Sequence, residues 1–142
     1  PAVLSNPDLA ARLRAEPIIH AQLEALSNCN KAIFAAGSCT PDSHVVSSGV
    51  ATDADLSWYT SQGATGVLCG RFIGSDGKPI AGQLDDRMIG VTLDKLQGLD
   101  VGLLVSDGTE KVTPMLAAIA GGYVTHVVTS NKTARLMLDA ED

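Results

Sequence analysis

Apolar and polar positions in the second half of the chain follow one another in blocks that predict a strand and then a helix. The run Val101–Val105 (VGLLV) is wholly apolar and is followed by Ser106-Asp107-Gly108, a pattern typical of a central strand covered on both faces. Thr109 is placed to cap a helix over residues 110–120. Gly121-Gly122 would end that helix, because glycine accepts the left-handed conformation found after helix ends.

A second strand and a last helix complete this half. Residues 123–129 (YVTHVVT) are apolar and β-branched, which predicts a strand. Ser130 or Asn131 would cap a final helix. Strands that alternate with helices predict an α/β fold with a largely parallel sheet flanked by helices.

Helix signals dominate the start of the chain. Asn6 is placed to cap a helix that continues to about Arg14, and Pro17 begins a second helix. Further along, Thr52 would cap a short helix that Gly63 ends.

The remaining segments of the first half predict strands joined by loops. Residues 32–36 (AIFAA) predict a strand, followed by a polar loop over residues 37–49. Residues 66–73 predict one continuous strand that leads into the tight turn Ser75-Asp76-Gly77. Loops that follow strands in this fold class often form binding sites.

Length and composition agree with one domain or part of one. The chain has 142 residues, of which 45% are hydrophobic and 18% are charged. The apolar runs are too short to predict a membrane span. The net charge of -6 repels phosphate backbones, so this segment is not expected to bind DNA by itself. The first residue is not Met, which suggests a fragment.

The sequence carries no motif typical of a metal site, a cofactor site or a catalytic centre. Cysteines number three, an odd count that fits a reducing cytoplasm better than a disulfide framework. His20, His44 and His126 lie too far apart to predict a metal site, and none accompanies a nucleophile motif, so no catalytic residue is predicted. No glycine-rich phosphate-binding motif indicates a cofactor.

Five segments, taken in order, resemble the C-terminal part of the effector-binding domain of the SorC family of sugar-responsive transcriptional regulators. They are residues 36–43 (AGSCTPDS), 48–49 with 53–56 (SG, DADL), 70–72 with 76–79 (GRF, DGKP), 84–90 (LDDRMIG) and 108–111 (GTEK). Each segment alone is a weak signal, but the five together cover most of the chain.

The resemblance implies a fold like that of sugar-phosphate isomerases and CoA transferases. It implies that residues 1–142 are the C-terminal portion of the domain, without the helix-turn-helix and the first part of the effector domain. The expected function is binding of a small sugar or sugar phosphate by a cytoplasmic homo-oligomer, a dimer or a tetramer. The alternatives are a fragment of a sugar-phosphate isomerase, deaminase or CoA transferase, and a partner-binding domain without ligand.

Lys111 is the first candidate for ligand contact. It lies at the N-terminal end of the predicted helix, where cations are disfavoured and anions are favoured. An anionic or hydroxyl-rich ligand would account for its position, and the alternative is a solvated surface lysine. By resemblance Lys111 is the family's ligand-binding lysine, and Gly108 begins the same motif.

Asp85, Asp86 and Arg87 form a second candidate group. Carboxylates accept paired hydrogen bonds from sugar hydroxyls, and arginine can clamp an anion. The alternative is a structural ion pair that supports a turn. Arg71, as an alternate residue of a strand, is expected to be solvated or ion-paired, and the alternative is contact with a ligand or a subunit interface. Gly37 ends a predicted strand and would let a ligand approach the backbone closely.

Two positions depart from the family pattern. Val67 stands where relatives often carry an acidic residue, and Ser47 stands where many carry arginine. The resemblance therefore predicts a sugar that differs from the relatives' effectors and carries fewer phosphates.

Overall fold

The computed structural model describes residues 2–140, and the elements follow from the local signals above. The strands are β1 Ala2–Val3, β2 Lys31–Phe34, β3 Ala36–Gly37, β4 Gly66–Leu68, β5 Arg71–Ile73, β6 Met88–Ile89, β7 Val101–Val105 and β8 His126–Val128. The α-helices are α1 Pro7–Ala15, α2 Pro17–Ala25, α3 His44–Ser47, α4 Asp53–Ser61, α5 Gln83–Arg87, α6 Val112–Ala120 and α7 Asn131–Asp139. Short 3₁₀ turns cover Leu26–Asn28, Leu93–Leu96 and Thr109–Lys111.

A parallel sheet in the order β2-β7-β8 carries the predicted central strand. Helices α6 and α7 cover one face, where Met115 and Met137 cluster with Leu104 of β7. Cover on both faces was expected, but nothing within residues 2–140 packs over the opposite face, where Ile33 is 76% exposed and Val128 is 53% exposed. The predicted α/β class with a parallel sheet flanked by helices is confirmed.

An antiparallel sheet in the order β3-β4-β5 accompanies the parallel one. The single strand predicted over residues 66–73 is wrong, because the chain reverses at Cys69-Gly70. Both residues have positive φ, 51° and 81°, as a two-residue hairpin loop of the type I′ class requires. A second, two-stranded antiparallel sheet joins β1 to β6.

The polar loop predicted over residues 37–49 contains structure of its own. It holds the end of β3 and the one-turn helix α3, which the Ser43 side chain caps by accepting a hydrogen bond from the Val45 N–H. The helix predicted over residues 110–120 begins later than expected: Thr109–Lys111 is a 3₁₀ turn after Gly108, and α6 starts at Val112. Of the strand predicted over residues 123–129, only His126–Val128 forms β8.

Helix capping follows the predictions closely. Asn6 accepts a hydrogen bond from Leu9 at the start of α1, and Thr52 forms a capping box with Asp55 at the start of α4. Ser130 caps α7 by accepting from Thr133. No helix within residues 2–140 combines the length and the apolar character needed to cross a bilayer.

Two apolar clusters stabilise the fold. The first joins the parallel sheet to α6 and α7 through Phe34, Leu104 and Met115. The second joins the antiparallel sheet to α4, where the ring of Tyr59 stacks on Phe72 with centroids 4.0 Å apart. The end of β2 and the start of β3 therefore connect two differently built cores, and the candidate site lies near this junction.

Candidate functional site

A polar cleft of about 570 Å³ lies between the segment that follows β3 and the turn that follows β7. All of the side chains that line it are polar or charged: Ser38, Thr40, Asp42, His44, Ser47, Glu110 and Lys111. Because β7 runs parallel to β2, its carboxyl end brings Lys111 to the same edge as the segment beyond β2. Ligand sites in open α/β sheets are expected at this edge.

Hydroxyl groups shape the wall that follows β3. The buried Ser43 side chain donates to the carbonyl of Ser38, which folds the segment back before α3 begins. The hydroxyls of Ser38 and Thr40 lie 3.0 Å apart, and His44 Nδ1 lies 3.0 Å from the Ser47 hydroxyl. This wall thus presents a row of groups that both donate and accept hydrogen bonds.

The turn after β7 is fixed on both sides by side chains. Ser106 Oγ accepts a 2.9 Å hydrogen bond from the Ala36 N–H. The Asp107 carboxylate accepts from the hydroxyls of Ser130 and Thr133, and the Gly108 N–H donates to Thr133 Oγ1 at 3.1 Å. These contacts hold the start of the turn that carries Lys111.

Gly108 has a conformation that this turn requires. Its φ of 125° and ψ of 148° lie in a region that side chains rarely adopt. A Cβ at this position would lie 2.7 Å from both carboxylate oxygens of Glu110. Gly108 therefore shapes the site through its backbone and gives room to the Glu110 side chain.

The environment alters two titratable groups beside the cleft. Hydrogen bonds from Ser130 and then Thr133 lower the pKa of the Asp107 carboxyl below its ordinary value, so it remains an acceptor. Burial raises the pKa of Cys39 to about 11, which keeps its sulfur a neutral thiol near pH 7. Cys39 is therefore unsuited to act as a nucleophile here.

Lys111 is half-buried, and within residues 2–140 its ammonium group makes no hydrogen bond or ion pair. Glu110 and Asp42 are exposed, and in the same described part their carboxylates have no hydrogen-bond donor or cation as a partner. The cleft thus holds one cationic donor and two anionic acceptors that the fold itself does not use.

Asp85 has the opposite character. Its carboxylate accepts hydrogen bonds from the Tyr59 hydroxyl at 3.0 Å and the Gly82 N–H at 2.9 Å, and it pairs with Arg71 Nη1 at 2.9 Å. Burial, followed by the charge of Asp85, raises the pKa of Tyr59, so the phenol stays a donor. Asp85 and Arg71 are joined in an internal network that ties α4 and β5 to α5.

The other members of the triplet also lie away from the polar cleft. Asp86 is exposed, and its backbone carbonyl accepts from Arg14 Nη2 at 3.1 Å. Arg87 Nε donates weakly to the Gln83 carbonyl at 3.4 Å. Asp85, Asp86 and Arg87 do not line the cleft that contains Lys111, so the structure does not bring the two candidate groups together.

Gly37 lines a shallower depression of about 230 Å³ that shares His44 with the cleft. Val67, which lies opposite Gly37 in the antiparallel sheet, lines this depression too, and Ser47 lines the cleft itself. Both departures from the family pattern therefore lie at or beside the cleft.

Several cleft residues were not singled out from the sequence. Ser38, Thr40, Asp42 and His44 belong to the polar loop after a predicted strand, and Glu110 precedes the candidate lysine. The sequence places that loop at the end of a predicted strand, which indicates a binding site there. It does not indicate which side chains of the loop face the site.

Comparison with known proteins assigns the family. The sugar-binding domain model (Sugar-bind) matches residues 1–139. The chain belongs to this family of sugar-binding domains. The expected resemblance to the sugar-binding domain of transcriptional regulators is thus confirmed.

The similar curated proteins are transcriptional regulators. The uncharacterized regulator YjhU of Escherichia coli is 34% identical over 99% of the chain, and the regulator LsrR of Klebsiella pneumoniae is 29% identical over 97%. The chain spans 43% and 44% of their lengths. None of the relatives named here is an enzyme, so the comparisons give the enzyme alternative no support.

Solved structures confirm the fold. The full-length sorbitol operon regulator SorC of Klebsiella pneumoniae matches with a TM-score of 0.88 at 21% identity, over 97% of this chain and 45% of that one. A transcriptional regulator of Streptococcus pneumoniae matches with a TM-score of 0.87 at 24% identity, over 98% of this chain and 53% of that one.

Proposed function

We propose that the polar cleft binds a small sugar or sugar phosphate as the effector of a bacterial transcriptional regulator. The observation that carries the proposal is the half-buried Lys111, which faces a cleft lined by polar side chains and makes no internal hydrogen bond or ion pair within residues 2–140. An ammonium group that the fold leaves without an acceptor can donate up to three hydrogen bonds to a ligand. A bound ligand is the partner that we assign to it.

The chemistry of the lining suits a polyol. Vicinal hydroxyls require donors and acceptors at close spacing. Lys111 donates, Asp42 and Glu110 accept, and the hydroxyls of Ser38 and Ser47 do both. Two similar proteins, the sorbitol operon regulator SorC and a deoxyribonucleoside regulator of Bacillus subtilis, are named for compounds that carry several hydroxyl groups.

In this proposal the chain is the C-terminal portion of the effector domain, and a domain outside it contacts DNA. The net charge of -6 favours that division of roles, because it repels phosphate backbones. The whole regulator would act in the cytoplasm as a homo-oligomer, a dimer or a tetramer. The effector would shift it between states through its different affinity for each.

We also propose that the chain is not an enzyme. Within the cleft, the arrangement that most resembles a nucleophile and a base is the contact of 3.0 Å between His44 Nδ1 and the Ser47 hydroxyl. Within the described residues no carboxylate hydrogen-bonds the imidazole of His44, so nothing orients it as a base. The pair therefore serves better as a hydrogen-bonding surface than as a nucleophile and base.

A binding screen tests the proposed function. The full-length protein in which this chain occurs is heated with sugars, polyols and their phosphates, because a ligand that binds the native state raises Tm. We expect a selective rise, and Lys111→Ala should weaken the binding of that ligand about 10–100-fold in calorimetry, since a hydrogen bond to a charged group contributes about 1.5–3 kcal/mol.

Lys95→Ala is the matched control, because Lys95 is exposed and lies outside the cleft. This variant should bind as the wild type does. If no compound raises Tm of the folded protein, or if both lysine variants bind equally well, the proposed function is wrong.

A further inference from the structure

We propose that the apolar groove between α6 and α7, beside the end strand β8, is the surface at which two copies of this chain meet around a two-fold axis. The inference rests on the proposed function, in which the whole regulator is a homo-oligomer, and it names the surface that joins the copies. This groove shares no lining residue with the polar cleft.

The lining of the groove is the first observation. The groove has a volume of about 430 Å³, and among the residues that line it none is charged and Thr129 alone carries a polar side chain. Ile119, Val127 and Leu138 line it and are 37%, 40% and 66% exposed. Exposed apolar side chains that lie together on a surface mark a site of interaction.

The edge of the parallel sheet is the second observation. β8 stands at the end of the order β2-β7-β8, and within residues 2–140 it pairs with β7 alone. An end strand presents unpaired backbone N–H and C=O groups, and proteins protect such edges with charged side chains or proline. Residues 125–129 (THVVT) contain no lysine, arginine, carboxylate or proline. This edge is therefore open to pairing with another strand.

The Thr129 hydroxyl is the third observation. Its oxygen is buried, and it forms no hydrogen bond within residues 2–140. Buried hydroxyls ordinarily have a hydrogen-bond partner. Because Thr129 directly follows β8, a strand added to that edge would bring backbone donors and acceptors near it.

The distribution of charge favours a second copy as the partner. A net charge of -6 makes two copies repel one another over most of their surfaces, so they meet most readily where carboxylates are few. The lining of the groove has none. Beside it on α7, the exposed Arg135 lies about one turn before the exposed Asp139.

A two-fold axis makes this surface complementary to itself. Antiparallel pairing of β8 with its copy also runs the two α7 helices in opposite directions. Arg135 of each copy then lies beside Asp139 of the other, and Leu138 of each copy faces the groove of the other. Such an isologous contact uses one patch twice and closes as a dimer.

Light scattering and sedimentation of the full-length protein test the contact. Leu138→Glu places a carboxylate in the groove of each copy and should raise the Kd of self-association at least about 100-fold, because a carboxylate in a desolvated contact lacks a partner. Lys95→Glu is the control: it changes the net charge by more, at an exposed position outside the groove, and should leave this Kd within about twofold.

Reversed charges on α7 test whether the partner is a second copy. Arg135→Glu and Asp139→Lys should each weaken self-association about tenfold, because each variant opposes like charges twice across the axis. A mixture of the two variants should associate within about threefold of the wild type, because the altered position of one variant then faces the altered position of the other.

The outcomes separate the occupants of the groove. If Leu138→Glu and Lys95→Glu associate alike, or if the mixture associates no better than either variant alone, the proposal is wrong. A lower Tm of Leu138→Glu with unchanged association would indicate that another part of the full-length chain covers the groove. An unchanged Tm would indicate a groove open to a small apolar ligand.

The sugar screen is scored separately from association. If it finds no ligand while the variants dissociate as expected, the proposed sugar binding is wrong and the contact between copies stands. If a sugar binds while Leu138→Glu associates as the wild type does, the contact is wrong and the proposed function stands.

Discussion

The turn of α5 and the turn after β7 have similar sequences and opposite roles. Each places acidic and basic residues side by side between apolar segments, as Asp85-Asp86-Arg87 and as Glu110-Lys111. Asp85 makes three contacts with other parts of the fold, whereas the side chains of Glu110 and Lys111 make no hydrogen bond or ion pair within residues 2–140. Charges used by the fold stabilise it, and unused charges at a strand end remain available to a ligand.

The largest expected effect comes from breaking the internal network. Asp85→Ala leaves Arg71 and the Tyr59 hydroxyl without their acceptor, and we expect the free energy of unfolding to fall by about 2–4 kcal/mol. Urea denaturation measures this change. Asp86→Ala, at the exposed neighbouring position, should change it by less than about 0.5 kcal/mol. Equal effects of the two variants would remove the structural contrast between Asp85 and Asp86.

A smaller loss of stability is expected from changing Gly108, whose backbone conformation shapes the cleft. Gly108→Ala would force a side chain into a φ of 125° and against the Glu110 carboxylate, and should lower the free energy of unfolding by about 1–3 kcal/mol.

The control for this variant is Gly49→Ala, at a position with a φ of 75° and open space around it, where we expect a loss of about 1 kcal/mol. In the background of Glu110→Ala, Gly108→Ala should still lower the free energy of unfolding by about 1–3 kcal/mol, because the exposed Glu110 side chain can move aside whereas the strained backbone conformation remains. If Gly108→Ala costs no more than Gly49→Ala in either background, the account of this backbone strain is wrong.

The smallest expected effect is the contribution of Asp107 to the pH dependence of folding stability. The pKa of its carboxyl is lowered in the folded chain, so the charged form contributes stability above the ordinary pKa of about 4. That contribution is lost as the pH falls through the lowered pKa. Asp107→Asn should therefore reduce the urea midpoint at pH 7, by less than Gly108→Ala does, and the difference from the wild type should shrink toward pH 3. A pH-independent difference would contradict this origin.

Much of the fold could be predicted from local sequence because its signals are short in range. The apolar run of β7 and the caps Asn6, Thr52 and Ser130 were identified correctly. The hairpin at Cys69-Gly70 was missed, because cysteine is an unusual residue at positive φ and hides a turn that Asn-Gly would have revealed.

The site could be predicted only in part because its contacts are long in range. Lys111 was identified from its place at a strand end, and it lines the cleft; its role in binding stays a prediction. The network of Asp85 depends on Arg71 and Tyr59, which lie 14 and 26 residues away in sequence, and no local pattern announces such partners. Hydrogen-bonding side chains look alike in sequence whether they face inward or toward a ligand.

The pairing of β2 with β7 has a consequence for how the chain reaches this structure. Asn30 and Asp100 lie just before these two strands, and the Asn30 side-chain amide donates a hydrogen bond to the Asp100 carboxylate. The two residues are 70 positions apart in sequence, and the buried residues of the antiparallel core lie between them. The β4–β5 hairpin closes over two residues, and such hairpins form in about 1–10 µs. We expect the antiparallel core to collapse first and thereby to shorten the search that unites β2 with β7. The polar cleft, which needs both segments, would then be among the last features to form.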